Sequence, residues 1–250
     1  MKLGLIMAGG LGKRMESSIP KVLHQINSKP MICYVIETAF KAGCEKVGII
    51  VGQYRPIIEQ TILSWGFDES QIVFIDQPEP LGTGNAVACA CASDWVKNLP
   101  SLTNVLILSG DVPLISTNTI TELMEKTNSI LVNKVQNPKG YGRVQIDSQT
   151  NLVKQIIEEK DCTPDQKDIQ LVNCGIYYFE LDVLNQVIPR ISNANAANEY
   201  YLTDLVSIGS ELGYQINWYE LPSNKSIEIA NVNTKEDLAN IYELIKSSSK

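Results

Sequence analysis

A chain of 250 residues with 44% apolar content can bury a sizeable core, as one large α/β domain or two small ones. A net charge of -7 and a pI near 4.9 argue against a broad duplex-binding surface, so an anionic ligand must meet a local cluster of cations. No apolar run approaches the roughly 20 residues of a membrane span, and the six dispersed cysteines (Cys33, Cys44, Cys89, Cys91, Cys162, Cys174) with no CxxC pair fit a reduced, cytoplasmic protein.

The opening "MKLGLIMAGG" lacks a signal-peptide cleavage site and reads as a buried strand, Lys2–Met7. A loop rich in glycine and cations follows, "MAGGLGKRMESSIPKVLH". A helix is expected over about Met31–Ala42, with Ile32, Val35, Ile36 and Ala39 on one face and Gly43 at its end. Strands follow at Lys46–Val51 and Ile72–Asp76, and a helix of small residues starts near Gly84. A strand at Val105–Ser109, a helix over about Asn118–Lys126 and a strand at Ser129–Val135 complete this half. Strands alternating with helices argue for a doubly wound, mostly parallel, Rossmann-like α/β sheet.

After Val135 the pattern changes. "YGRVQID", "NLVKQIIEE" and "LVNCGIYYFEL" read as closely spaced antiparallel strands, an inserted β lobe. Helices are expected at Asp182–Val187 and Leu202–Leu212, strands near Gln215–Leu221 and Ser226–Ala230, and a last amphipathic helix over about Lys235–Lys246.

In such a sheet the loop leaving the first strand is a ligand position. It is neither a Walker A loop, since Arg14 follows Gly12-Lys13, nor a dinucleotide fingerprint, since the third glycine is missing. Its glycines, Gly12 included, can still bring backbone N–H groups to phosphate oxygens, and Arg14 and Lys21 add cations suited to a triphosphate. A glycine turn beside a solvated basic loop remains the alternative. "PLGTGNA" (80–86) offers N–H groups to a base edge or is a plain turn, and "LSGDVPL" (108–114) places Asp111 beyond a strand as an Mg2+ ligand or a turn aspartate. "KGYGRV" (139–144) is explained equally by anion binding or by a hairpin. With a single histidine, His24, read as structural, a histidine metal site or a Ser-His-Asp triad has little to build on. A Cys89/Cys91 metal pair lacks further ligands at zinc spacing.

"AGGLGKRMESSIPKVLH" resembles the signature loop of the sugar-1-phosphate nucleotidyltransferases. With "PLGTGNAV", "GDVPL", "GYGRV", "IIEEKD", "NCGIY" and "NEYYLTD" in collinear order over roughly residues 3–245, the chain is similar to the bacterial N-acetylglucosamine-1-phosphate uridyltransferase domains. The resemblance implies a nucleotidyltransferase or glycosyltransferase-A-like fold and a reaction of UTP with N-acetylglucosamine 1-phosphate, with Mg2+, releasing pyrophosphate. It also implies roles. Met7, Ala8, Gly9 and Gly10 line the uridine pocket, while Gln77, Gly82 and Thr83 read the uracil. Arg14 and Lys21 neutralise the triphosphate as the catalytic cations, and Asp111 and Asn233 hold Mg2+. Gly142, Glu158, Asn173, Glu199 and Thr203 position the sugar.

On this basis one nucleotidyltransferase domain is expected over 1–250, with a nucleotide half (about 1–135), a sugar half (about 136–233) and a C-terminal helix (about 234–247). Neither nucleic acid nor membrane is an expected partner, and a homo-oligomer is open. The chain departs from the family strings in "MAGG" for "LAAG", in Ser109 for a frequent tyrosine and in Asn85 for the histidine of "GTGHA". These bear on specificity. The bacterial enzymes continue into a left-handed β-helix acetyltransferase; no hexapeptide repeats follow here, so neither that activity nor β-helix trimerisation is expected. Another sugar 1-phosphate or nucleoside triphosphate, or a non-catalytic nucleotide-sugar sensor, are the competing readings.

Overall fold

Strand β1 (Lys2–Met7) is apolar on both faces: Leu3 and Leu5 pack into one core cluster and Ile6 into another. A strand buried on both sides belongs in the middle of a parallel sheet, and β1 lies there. The computed structural model describes residues 1–10, 12–100 and 102–248. After β1 the chain forms a small hairpin, β2 (Gln25–Ile26) and β3 (Lys29–Pro30), then α1 (Met31–Lys41), β4 (Lys46–Val51), α2 (Arg55–Ser64) and β5 (Ile72–Asp76). It continues through α3 (Thr83–Ala92), α4 (Asp94–Lys97), β6 (Asn104–Ser109), α5 (Thr117–Leu123) and β7 (Ser129–Lys134). The second half comprises β8 (Arg143–Ile146), β9 (Val153–Ile157), α6 (Pro164–Lys167), β10 (Leu171–Glu180), α7 (Leu181–Val187), α8 (Asp204–Glu211), β11 (Asn217–Glu220) and α9 (Lys235–Ser248).

The main sheet runs β11-β7-β10-β6-β1-β4-β5, parallel except for β10. From β1 the chain moves outward to β4 and β5, then returns to β6 on the other side. The crevice at the carboxyl ends of β1 and β6 is therefore the switch point, where open α/β sheets bind ligands. The helices segregate as the two apolar faces require. Ile36 and Ala39 of α1, Ile58 and Ile62 of α2 and Ile120 and Leu123 of α5 cover one face. Val87 and Ala90 of α3, Leu184 of α7 and Leu205 of α8 cover the other.

The antiparallel lobe is part of this same sheet. β10 pairs with β6 through Tyr177–Glu180 and with β7 at Tyr177, Tyr178 and residues 171–173, shifts its β7 register between Asn173 and Tyr177, and meets β8 at Val172. Gly175 takes φ +71 within that shift, a conformation glycine adopts without strain. β8 then pairs with β9. Three expectations change. The segment 226–230 is not a strand but lies in a 3-10 turn, Ser223–Ile229, in which Ser226 Oγ donates to the Ser223 carbonyl at 3.0 Å. Local serine-to-backbone bonds following Pro222 outweigh the Ile227/Ile229 alternation. The helix expected to Lys126 stops at Leu123, and the one expected from Leu202 starts at Asp204.

Candidate active site

Ten of the residues expected to act line one cleft at the switch point: Met7, Ala8, Gly9, Gly10, Lys21, Gln77, Gly82, Thr83, Asp111 and Glu199. Backbone register brings them together. Met7 pairs with Ser109, and the Gly110 N–H donates to the Met7 carbonyl at 3.0 Å, so Ala8–Gly10 and Gly110–Asp111 leave the sheet side by side. On the other wall the Gln77 N–H donates to Val51 O at 2.7 Å, which seats Gln77 buried just beyond β5. Its Nε2 donates to the Gly82 carbonyl (3.1 Å) and to Asn85 Oδ1 (2.9 Å). Thr83 Oγ1 accepts the Leu202 N–H at 3.1 Å, which ties this wall of the cleft to the strip before α8. Gly12 stands apart from the lining. With φ +57 it makes the turn that accepts the Met15 N–H, and a Cβ there would lie 2.9 Å from Lys21 Cβ. The Lys13 side chain, one of the loop's three cations, lies outside the described residues.

At the mouth of the cleft, three distant segments meet in one polar cluster. The Lys21 ammonium donates to Asp111 Oδ2 and to Asn233 Oδ1 at 3.2 Å, and Arg14 Nη2 donates to the same Asn233 oxygen at 3.0 Å. Ser109 Oγ donates to the other Asp111 oxygen, Oδ1, at 2.6 Å. Asn233 is held in turn from α9. The Asp237 carboxylate accepts the N–H groups of Asn233 and Thr234, both at 2.9 Å, while Thr234 Oγ1 accepts the Asp237 N–H at 3.1 Å, a reciprocal helix cap. Asp111 and Asn233 thus present one carboxylate and one amide oxygen to a single cation. Those are hard oxygen donors in the small number that Mg2+ takes when phosphates supply the rest. Among the described residues no group of three His, Cys, Asp or Glu is arranged to hold a metal, and Cys89 and Cys91 are free thiols.

The expected sugar residues line the ground next to this cleft. Thr203 Oγ1 donates to Glu158 Oε1 at 2.9 Å, and the Asn173 N–H donates to Gly142 O at 2.9 Å. A Cβ on Gly142 would stand 2.9 Å from Ile156, with Glu158 Oε1 and Asn173 also within 4 Å. Asn173 Nδ2 donates to the Tyr177 hydroxyl at 2.8 Å. Glu199 belongs both to the cleft and to the hollow beside Glu158, which joins the two regions. Burial lifts the Glu158 carboxyl above its ordinary range; the Thr203 hydroxyl opposes this, and the charges of Asp204, Asp161 and Glu199 add to it. Of the two cations of "KGYGRV", Arg143 is turned into the protein. Arg143 is only 1% exposed, pairs with Glu159 at 2.6 Å, and donates to the Tyr141 and Lys167 carbonyls, as the hairpin reading implies. His24 does not line the cleft; its carbonyl accepts the Met31 N–H at 2.9 Å, and burial holds its imidazole below the usual histidine range. Sequence reasoning missed Asp237, whose only signal is its place three residues after Thr234 in a capping pattern.

The nucleotidyl transferase family model matches residues 3–217. A probable UDP-N-acetylglucosamine pyrophosphorylase of Acanthamoeba polyphaga mimivirus is 43% identical, over 98% of this chain and 95% of that protein. The bifunctional GlmU proteins of Thermotoga petrophila and Marinobacter nauticus are 39% and 37% identical over 97% and 95% of the chain. The chain spans about half the length of those bifunctional relatives, 51% and 50%.

Proposed function

The chain belongs to the nucleotidyl transferase family, and we propose that it transfers a uridylyl group from UTP to N-acetylglucosamine 1-phosphate, giving UDP-N-acetylglucosamine and pyrophosphate. The observation that carries this reading is the cluster of Arg14, Lys21, Asp111 and Asn233 at the mouth of a glycine-walled cleft, beside the Glu158–Thr203 pair. The mimiviral relative, a probable UDP-N-acetylglucosamine pyrophosphorylase, supports the same reading. We read residues 1–135 as the nucleotide half, 136–233 as the sugar half and 234–247 as the closing helix, with the protein acting in the cytoplasm, where its six cysteines would stay free thiols.

The chemistry suits this site. At neutral pH the phosphate of a sugar 1-phosphate is largely a dianion, so the nucleophile needs no general base. What the protein must manage is repulsion between two polyanions and the charge gathering on departing pyrophosphate. Lys21 and Arg14 meet that charge, with Lys21 exchanging Asp111 and Asn233 for phosphate oxygens as nucleotide enters. A divalent ion such as Mg2+, held by Asp111 and Asn233, would neutralise the nucleotide α-phosphate and the attacking phosphate. Ala8–Gly10 let the backbone approach the nucleoside, and Gln77 and Gly82 face the base. Glu158, Asn173 and Thr203, with Gly142 leaving room, orient the sugar hydroxyls and acetamido group.

Purified protein with UTP, Mg2+ and a panel of sugar 1-phosphates, read by pyrophosphate release, tests the reading. Turnover is expected with N-acetylglucosamine 1-phosphate. Faster turnover with glucose 1-phosphate or with another nucleoside triphosphate would replace the proposed substrate. No turnover with any pair would leave the sensor reading. Asp111→Asn is expected to abolish metal-dependent turnover while the melting temperature is kept, and near-normal rates would remove the proposed metal site.

A further inference from the structure

Gln77 carries an amide whose two ends offer a base opposite chemistry, so which end faces the cleft matters. The Gly82 carbonyl can only accept, so the end of Gln77 lying 3.1 Å from it is Nε2. Asn85 must then present its own oxygen, and Oδ1 accepts from the same Nε2 at 2.9 Å. With both N–H groups used inside the protein, Oε1 is turned toward the glycine wall of the cleft. It comes so near Gly9 that a Cβ there would stand 2.8 Å away. The two flanking positions, Gly9 and Asn85, are both places where the chain departs from the family strings "LAAG" and "GTGHA". Gly9 leaves room for the oxygen, and Asn85 holds the nitrogen away from the base.

We propose that Asn85 is a positioning residue for base selection: by fixing Gln77 with its carbonyl toward the cleft, it makes the site accept uracil and reject cytosine. The pairing edge of uracil has a single donor, N3–H, so an acceptor in contact with that edge must meet it. Cytosine places a lone pair at N3, and two acceptors would face each other in a buried site, an unmade hydrogen bond with repulsion added. A ligand that leaves buried polar groups unpaired is the kind that binding sites reject most strongly. The inference rests on the reading that this cleft takes UTP.

The test is the ratio of kcat/KM for UTP to that for CTP, measured with N-acetylglucosamine 1-phosphate. In Asn85→Ala the Gln77 amide keeps one of its two anchors and can rotate, so the ratio is expected to fall about tenfold or more, the scale of one hydrogen bond. The loss should appear as a raised KM for UTP and a gain with CTP, with kcat for UTP within a few-fold of wild type. Asn85→Asp retains an acceptor toward Nε2 and is expected to keep the wild-type ratio. Gly9→Ala, which crowds Oε1, is expected to lower it. A wild-type ratio in Asn85→Ala, or an equal loss in Asn85→Asp, overturns the proposal while leaving uridylyl transfer intact. Wild-type protein inert with UTP would instead remove the functional reading beneath it.

Discussion

Lys21 sits with a 17% exposed side chain against an Asp111 side chain that is 8% exposed, so its ammonium acts where water screens little. Replacing it with alanine should lower kcat by about 100-fold, on the order of 3 kcal/mol, as for removal of one donor aimed at developing charge; single-turnover pyrophosphate release would measure this. Ser109, where the family often has tyrosine, ties down one Asp111 oxygen, while the other accepts from the Lys21 ammonium. Glu158 allows a test at equilibrium. Burial keeps its proton on longer in the folded state than in the unfolded chain. The folded protein therefore loses stability as pH rises from the ordinary glutamate range, near about 4.3, through the raised native value. Glu158→Gln still offers an oxygen to Thr203 and carries no charge. It should melt higher than wild type at pH 7 to 8, and the gap should close as pH falls toward 4. A gap that stays constant across a melting series in pH would show that ionisation is not the cause.

Two short segments hold the site, and both act through hydrogen bonds to backbone groups. The loop before α3 is knitted to the strip before α8: Tyr200 N–H donates to Leu81 O (2.8 Å), Gly84 N–H to Tyr200 O (2.7 Å) and Leu202 N–H to Thr83 Oγ1 (3.1 Å). Gly82 lies inside this seam with φ +121, and a Cβ would fall 2.5 Å from the Tyr200 carbonyl. Gly82→Ala should cost roughly 1–3 kcal/mol of stability from backbone conformation alone, and should raise KM for both substrates because one seam serves both halves. The cap of α9 is the second device. Asp237→Ala removes the acceptor of two N–H groups, about 1 kcal/mol for a helix cap, and frees Asn233; chemical denaturation and Mn2+ binding measured together should both weaken. Strands β4, β5, β6 and β7 were legible because each is a short run carrying Val and Ile between turn residues. Helix α2 was not expected, since only Ile58 and Ile62 are buried along its ten residues and they give a weak helical pattern. The turn at Ser223–Ile229 was misread because Ile227 and Ile229 alternate as in a strand, while Pro222 and the serines favour tight local bonds.

Across the whole molecule, one nine-stranded sheet carries both proposed substrate regions, and the register of β10 shifts around Gly175 between them. UTP with Mg2+ should therefore stabilise the chain as one cooperative unit. At 100 times Kd the gain is about 2.7 kcal/mol, read as a single melting transition moving upward; a transition that split would show that the halves unfold apart. The sequence by itself determined the doubly wound core, because apolar runs of strand length and helical period follow from local chemistry and from which faces need burial. It also determined the glycine loop, the cations and Asp111 as candidates, because glycines after a first strand and a carboxylate after a later one have few other uses together. Only the tertiary structure decided that Arg143 is a buried staple, that Asn85 and Gly9 flank one amide, and that Asp237 orients Asn233. Each of these depends on which groups from distant segments share a hydrogen bond, and no local pattern encodes that. The partner of a buried polar group is chosen by the packing of the whole chain.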